Sequence, residues 1–475
     1  MELQLLRKNK KKTKYIHLFL LIIGTIFILL GAFHTNLWFD ESYSVGMVNH
    51  SFQEIWSIAA KDVHPVLYYY LLKFVEILFS GNIMMYRFFS CMGIILLGML
   101  GFTHIRKDFD EKTGILFTFF CFFLPIMPIY ASEIRMYSWT VLFSMLTFIY
   151  MYRVVKENNK KNWIYFSIFS LSTAYLHYYG LMASFFMNVF LLIYFIKNRK
   201  SIKYFIISAI FQILLYIPWI IHFLTQAKSV SQGFWITFSL KTILDVLLFP
   251  FQGNLPNWIS FFFLIFSYVV IFYSFKKNTN QIIGLSFFFY HFVIFVAILI
   301  SLKTPILVPR YLFCVLGLLI LSLSFAFRHS PNYILYLFCI LIFLIGSSNN
   351  IHFIRENYDD SNQRPIEYIK KYIKEDDIIL YTDVILGANL LQPISQKQYF
   401  YDIDNWNVED AYQAFSNLEI IKDLSILDTH KGNIWIIDSE KNRLYNLLKD
   451  YEWVDARYFQ TKYHSLNYSI HVVRK

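Results

Sequence analysis

Apolar runs of roughly 17 to 22 residues, the length that crosses a bilayer, recur along the first three quarters of the chain and stop near Asn350. The first, from about Tyr15 to Phe33, follows the basic arm RKNKKKTK. It exceeds the roughly 7 to 15 apolar residues of a signal-peptide core, and no small-x-small cleavage site follows. An uncleaved first helix with a cytoplasmic N-terminus is therefore predicted. Ten more spans are predicted near 87–105, 114–130, 136–152, 163–179, 181–196, 204–222, 258–275, 282–301, 311–327 and 332–348, making eleven.

The segment HPVLYYYLLKFVEILF, residues 64–79, is apolar enough to be mistaken for a further crossing. The positive-inside rule decides against it. Without that crossing, Arg106, Lys107 and Lys112, then Arg153, Lys156, Lys160 and Lys161, then Lys197, Arg199, Lys200 and Lys203, then Lys276 and Lys277, and finally Arg328 share the side of the basic arm. With it, all of them face outward. Lys73 and Glu76 also stand three apart, a spacing that pairs on an exposed helix face. The segment reads as an interfacial helix inside a long first external loop, residues 34–86.

Beyond Asn350 charges return and runs shorten. Helix-like IEYIKKYIKE, strand-like DIILYTD and NIWIIDS, helix-like EKNRLYNLLKD and strand-like YSIHVVRK alternate, which predicts a small α/β domain over residues 351–475. An odd number of crossings places that domain outside the membrane. The expected architecture is a mainly α membrane protein: a transmembrane domain over 1–350 with interfacial helices in its first external loop, then a C-terminal extracytoplasmic α/β domain.

Composition agrees. Of 475 residues 57% are hydrophobic and only 16% charged, against roughly 25% charged in a soluble globular chain. The net charge of +11 is accounted for by the short basic loops, so nucleic acid is not an expected partner. Cys91, Cys121, Cys314 and Cys339 all lie in apolar runs without CxxC spacing and read as buried small hydrophobes. The chain has only 16 glycines, where a transporter built on interrupted helices would want more.

The noteworthy polar residues gather on the side opposite the basic loops. Asp40 and Glu41 follow the first helix in LWFDESYS; His64 precedes Pro65; Glu133, Arg135 and Tyr137 lie in SEIRMYSW; His177 lies in LHYYG; His222 sits at the next outer helix end; Arg310 and Tyr311 lie in TPILVPRYL. Ionisable groups near a membrane are costly, so their convergence points to function. A carboxylate pair suits an acid–base site, one acting as base while its neighbour holds a cation or hydrogen bond. Each residue also has a plainer reading: solvated acids at a helix boundary, an aromatic anchor for His177, snorkelling headgroup contacts for the two arginines. His291, in the middle of a span, reads as a hydrogen-bonded packing residue. No P-loop, GxGxxG, HExxH or GxSxG stands in the right context.

Taken in order, the basic N-terminus, one helix, the Asp–Glu pair, HPVLYYYLL, YASEIRMYSW, LHYYG and PRYLF resemble the GT-C superfamily of polytopic glycosyltransferases. The resemblance is nearest to bacterial relatives of protein O-mannosyltransferases and of the aminoarabinose transferases of lipid A, and covers about residues 1–330. It implies a polyprenyl-phosphate sugar donor at the outer membrane face, transfer with inversion to a cell-envelope acceptor (lipid, wall polymer or protein), and membrane lipids as partners. It implies Asp40 as the catalytic acid/base with Glu41 as its motif partner. His64 matches the position before proline near the donor phosphate or a metal, and Arg135 and Tyr137 match an ARMY-like motif, with Ile134 in place of the small residue. Arg310 and Tyr311 match the RYL motif, a lipid-phosphate contact, and His177 joins them as a substrate contact.

Sugar transfer from a lipid phosphate needs a base for the acceptor hydroxyl and a cation against the departing phosphate. Arg310, His64 or a divalent ion would serve as the cation. No cofactor is required by the sequence, and the ligands available to a metal are Asp40, Glu41, Glu133, His64 and His177, at no diagnostic spacing. The alternative function is a transporter or flippase of lipid-linked sugars.

Overall fold

The computed structural model describes residues 2–232, 237–277, 281–402, 412–438, 444–445 and 447–475. The chain forms two compact units. One comprises residues 1–33, 63–68 and 87–352; the other comprises 34–62, 69–86 and 353–475.

The first unit is helical. Among the described residues eight helices are long and apolar enough to cross a membrane: Ile83–Asp108, Tyr137–Lys156, Tyr178–Lys197, Lys203–Ser231, Asn257–Lys276, Gly284–Ser301, Pro309–Arg328 and Asn332–Asn357. This is a multi-pass membrane protein. Each predicted span has a helix, but three helices fall below that length. Thr13–Leu29 is a shorter apolar helix, Lys160–Leu176 has 17 residues and Glu111–Phe123 has 13.

The breaks have local causes. Pro125 forces Leu124 into an extended conformation (φ −58°, ψ 138°), since a residue before proline is crowded out of the α region. The run at 114–130 therefore splits into Glu111–Phe123 and Met127–Ser132. In the opposite direction, the run predicted to end at 222 continues as one helix, Lys203–Gln232, through Pro218. His222 accordingly lies within a helix and not at its end.

Packing separates core helices from lipid-facing ones. Pro309–Arg328 has 94% of its apolar window buried, whereas Lys203–Ser231 has 11% and presents Ile206, Ile210, Ile213 and Ile217 outward. A helix apolar all round and buried belongs at the centre of a bundle. Gly93 permits one close crossing: a Cβ there would meet the Ser138 carbonyl carbon at 2.7 Å. Cys91, Cys121 and Cys314 are buried and Cys339 partly so, none in a disulfide. His291 accepts from the Tyr268 hydroxyl at Nε2 (2.6 Å) and donates from Nδ1 to the Phe287 carbonyl (2.8 Å), a packing role.

At one end of the bundle Arg153 pairs with Asp108 at 2.9 Å and Arg328 pairs with Asp110. Three of the basic loops thus meet on a single side.

The second unit contains residues 69–79 of the segment flagged in the sequence as ambiguous. It forms the helix Leu67–Phe79, whose 13 residues rise about 20 Å, short of the roughly 30 Å hydrocarbon core. Lys73 does pair with Glu76, at 2.9 Å, and also donates to the Val48 carbonyl.

The C-terminal part of this unit is a six-stranded sheet with strands β1 (Ile378–Tyr381), β2 (Gln398–Tyr401), β3 (Leu418–Ile421), β4 (Ile434–Asp438), β5 (Glu452–Gln460) and β6 (Asn467–Arg474), in spatial order β3-β2-β1-β4-β6-β5. The first four strands in that order run parallel, while β6 is antiparallel to both β4 and β5. Every residue of β1 and β4 is buried, as parallel strands covered on both faces must be. One core gathers Leu380, Tyr399, Ile434, Ile436 and Val473. The helix Arg364–Tyr372 sets Tyr368 against Trp435. The sheet confirms the expected α/β character; of the helix-like EKNRLYNLLKD, residues 440–443 and 446 lie outside the described residues, and 444–445 and 447–450 form turns instead of the predicted helix.

Candidate functional site

In the first unit three chain breaks bring polar side chains together. His177 stands between the helices Lys160–Leu176 and Tyr178–Lys197 with an extended backbone (φ −160°, ψ 146°), closing one helix and opening the next. Its Nδ1 accepts the Tyr179 backbone N–H at 3.1 Å, which leaves the ring proton on Nε2. Gly180 allows the close turn that follows, since a Cβ there would come within 2.7 Å of the Thr173 carbonyl. The tight turn Pro309–Val315 delivers Tyr311, whose ring lies 4.8 Å from that of His177 and 5.8 Å from that of His64, between centroids. His64 and His177 are 5.3 Å apart on the same measure, and Tyr137 is 5.9 Å from His177.

Two guanidiniums belong to this cluster. Arg135 is buried, and Arg310 lies with Cζ 5.9 Å from the Tyr311 ring centroid. Burial, then the charges of Arg135, His177 and Arg310, holds His64 well below the ordinary imidazole range, so this ring is neutral at neutral pH. Three buried polar atoms here, His64 Nδ1, His177 Nε2 and the Tyr137 hydroxyl, have no hydrogen-bond partner among the described residues. Buried polar groups are nearly always paired, so such a trio beside two arginines is built for a ligand that accepts hydrogen bonds and carries negative charge.

Three members of the cluster, His64, His177 and Tyr311, line a cavity of about 760 Å³ together with Leu181, Met182, Phe185, Ile220, Phe223, Val230 and Ile300, and its wall is overwhelmingly apolar. Such a site takes a molecule with a long apolar part and one anionic head. The helix Tyr137–Lys156 carries Tyr137 in the cluster and Arg153 at the ion-paired end, about 24 Å apart at helical rise.

Sequence reading did not find two supporting residues. Tyr179 donates its hydroxyl to the Ile306 carbonyl at 3.0 Å and so ties the His177 break to the loop bearing Arg310. Arg87 is fully buried and donates to the Ser132 carbonyl, bracing the turn before Glu133 and Arg135. A lone arginine beginning an apolar run signals only that it must find a partner.

Asp40 and Glu41 lie in the second unit, in the first turn of the helix Phe39–Val48, where the helix dipole favours carboxylates. Asp40 is half-buried. Glu41 is wholly buried and accepts a 2.7 Å hydrogen bond from the Tyr463 hydroxyl. Among the described residues no group of three or more His, Cys, Asp or Glu is placed to hold a metal ion.

No protein-family model matches the chain, and no curated protein matches it by sequence. Its structure is similar to that of ArnT from Cupriavidus metallidurans in the apo state, with a TM-score of 0.66 at 8% identity, covering 96% of this chain and 97% of that one. The same protein bound to undecaprenyl phosphate gives a TM-score of 0.63 at 9% identity, again over 96% and 97%. The likeness extends over nearly the whole length of both proteins, and this chain has the fold of that protein.

Proposed function

We propose that this protein is a membrane glycosyltransferase that moves a sugar from a polyprenyl-phosphate donor to a cell-envelope acceptor. The observation that carries the reading is the apolar cavity lined by His64, His177 and Tyr311, with the charges of Arg135 and Arg310 acting on those imidazoles, which suits a lipid tail ending in a phosphate. A neighbour of the same fold has been captured with undecaprenyl phosphate.

In the proposed reaction Asp40 takes the proton of the acceptor hydroxyl as that oxygen attacks the anomeric carbon. The bond from that carbon to the phosphate oxygen breaks, and the electron pair leaves with the polyprenyl phosphate. Arg135 and Arg310 offset the charge arriving on the phosphate, and His177 Nε2–H donates to it. Attack opposite the leaving group inverts the anomeric centre. We assign the N-terminus to the cytoplasm and residues 351–475 to the outer face, where donor and acceptor meet.

The test is purified protein in lipid nanodiscs, supplied with a panel of undecaprenyl-phosphate sugars and cell-envelope extract. Release of undecaprenyl phosphate coupled to acceptor labelling supports the reading. Movement of intact lipid-linked sugar between leaflets without bond cleavage makes the protein a flippase instead.

A further inference from the structure

The first-loop helix Phe39–Val48 and the C-terminal sheet are parts of one compact unit, and their contacts concentrate around the acidic pair. Tyr463 reaches Glu41 at 2.7 Å, with both side chains buried. One residue before the helix, Trp38 stacks on His464 at 4.4 Å and 12°. Further along, Ser42 donates to the Ala388 carbonyl at 2.5 Å, and the Ala414 carbonyl lies so near Gly46 that a Cβ would stand 2.5 Å from it. On the approach to the helix, Asn36 donates to the Asn357 carbonyl at 2.6 Å.

The turn that offers Tyr463 and His464 is itself unusual. His464 (φ 54°) and Ser465 (φ 49°) both occupy the left-handed region, which non-glycine residues visit at a cost and keep only where surrounding structure holds them. Its Tyr463 N–H is held by Asn362 at 2.9 Å and its Lys462 ammonium by Asp359 at 2.6 Å. A strained, braced turn whose side chains grip the residues on either side of Asp40 is a positioning device.

We infer that the C-terminal domain sets the catalytic loop, with Tyr463 and Glu41 as positioning residues that fix the direction of Asp40. This rests on Asp40 being the base. Successive helical residues point about 100° apart, so anchoring Glu41 inward fixes the rotation of the helix and with it the direction of Asp40. Glu41 thus serves through its anchor and takes no part in proton transfer. The donor phosphate is held by residues of the other unit, so loosening this anchor changes turnover and leaves donor affinity alone.

The experiment compares Tyr463→Phe, Glu41→Gln, the double variant and Asp40→Asn, all as full chains in nanodiscs. Transfer is measured with whichever undecaprenyl-phosphate sugar the wild type uses, affinity with undecaprenyl phosphate itself, and folding by thermal melting. The expected result for Tyr463→Phe is a fall in kcat of about tenfold with KM for donor and affinity for undecaprenyl phosphate unchanged. The double variant should be no slower than the slower single one, because both changes remove one link. Wild-type kcat in Tyr463→Phe, beside an inactive Asp40→Asn, overturns this inference and leaves the proposed function standing. Equal losses in kcat and in undecaprenyl phosphate affinity, following a lowered melting temperature, also overturn it by making the contact merely structural. Full transfer by Asp40→Asn, or none by wild type from any donor, overturns the proposed function and the inference together.

Discussion

The imidazoles of His64 and His177, 113 positions apart in the chain, lie 5.3 Å from one another between centroids, each with a buried ring nitrogen that no group among the described residues satisfies. Two neutral rings held that close beside Arg135 and Arg310 form an anion site in which the arginines supply the charge and the imidazole N–H supplies direction.

Arg310 follows directly. If its guanidinium holds the donor phosphate, Arg310→Ala weakens binding of undecaprenyl phosphate and turnover together, by about tenfold to a hundredfold, the range of one charge-assisted bond. Arg310→Lys recovers only part of this, because an ammonium keeps the charge and loses the two-point geometry. Calorimetry with undecaprenyl phosphate reads the difference, and wild-type affinity in Arg310→Ala would reduce the residue to a membrane anchor.

Stability has a pH signature. The folded state holds His64 neutral well below its ordinary range, so below about pH 6.5 the unfolded chain binds a proton that the folded chain refuses. Stability should therefore fall as pH drops from 6.5, by at most about 1.4 kcal/mol per pH unit for this one group. Melting curves of wild type and His64→Gln between pH 7 and 5 check it: the variant should show the shallower slope. Parallel slopes would mean that His64 titrates freely in the folded protein.

The cavity should set the donor's lipid. Ala227 lines it on the lipid-facing helix Lys203–Gln232, so Ala227→Trp fills volume with little disturbance of the protein core. Undecaprenyl phosphate should raise the melting temperature of the wild type through binding linkage and raise that of Ala227→Trp much less. Equal shifts would place the lipid elsewhere.

Much of this was legible in the sequence because membrane burial writes long signals: each predicted span has a helix, and the motif residues His64, Arg135, Tyr137, His177, Arg310 and Tyr311 meet at one site. What was illegible is local or remote. The extended geometry of His177 rests on one side-chain bond to Tyr179 within an unbroken apolar run, so periodicity runs straight through it. Strands β2 and β3 have four residues each, too short to show alternation, and β5 alternates while carrying the charges of an edge strand. The contact from Glu41 to Tyr463 joins positions 422 apart, and no pattern in either segment announces the other.

Topology can be read directly. With the basic loops meeting at one end of the bundle, alkaline phosphatase fused after Lys475 should be active and a cytoplasmic reporter there silent. The reverse result would move residues 351–475 to the inside and make Leu67–Phe79 part of a crossing.

Asp40 is the base of the proposed reaction. Asp40→Asn keeps the size of the side chain and removes its basicity, so the variant should fold, melt like the wild type and bind undecaprenyl phosphate normally. Its transfer from undecaprenyl-phosphate sugar should fall by about a hundredfold or more, the scale of a lost general base. The deciding measurement is the transfer rate of purified Asp40→Asn beside wild type in the same nanodiscs: a loss of that size with lipid binding intact is the predicted result, and undiminished transfer would contradict the account.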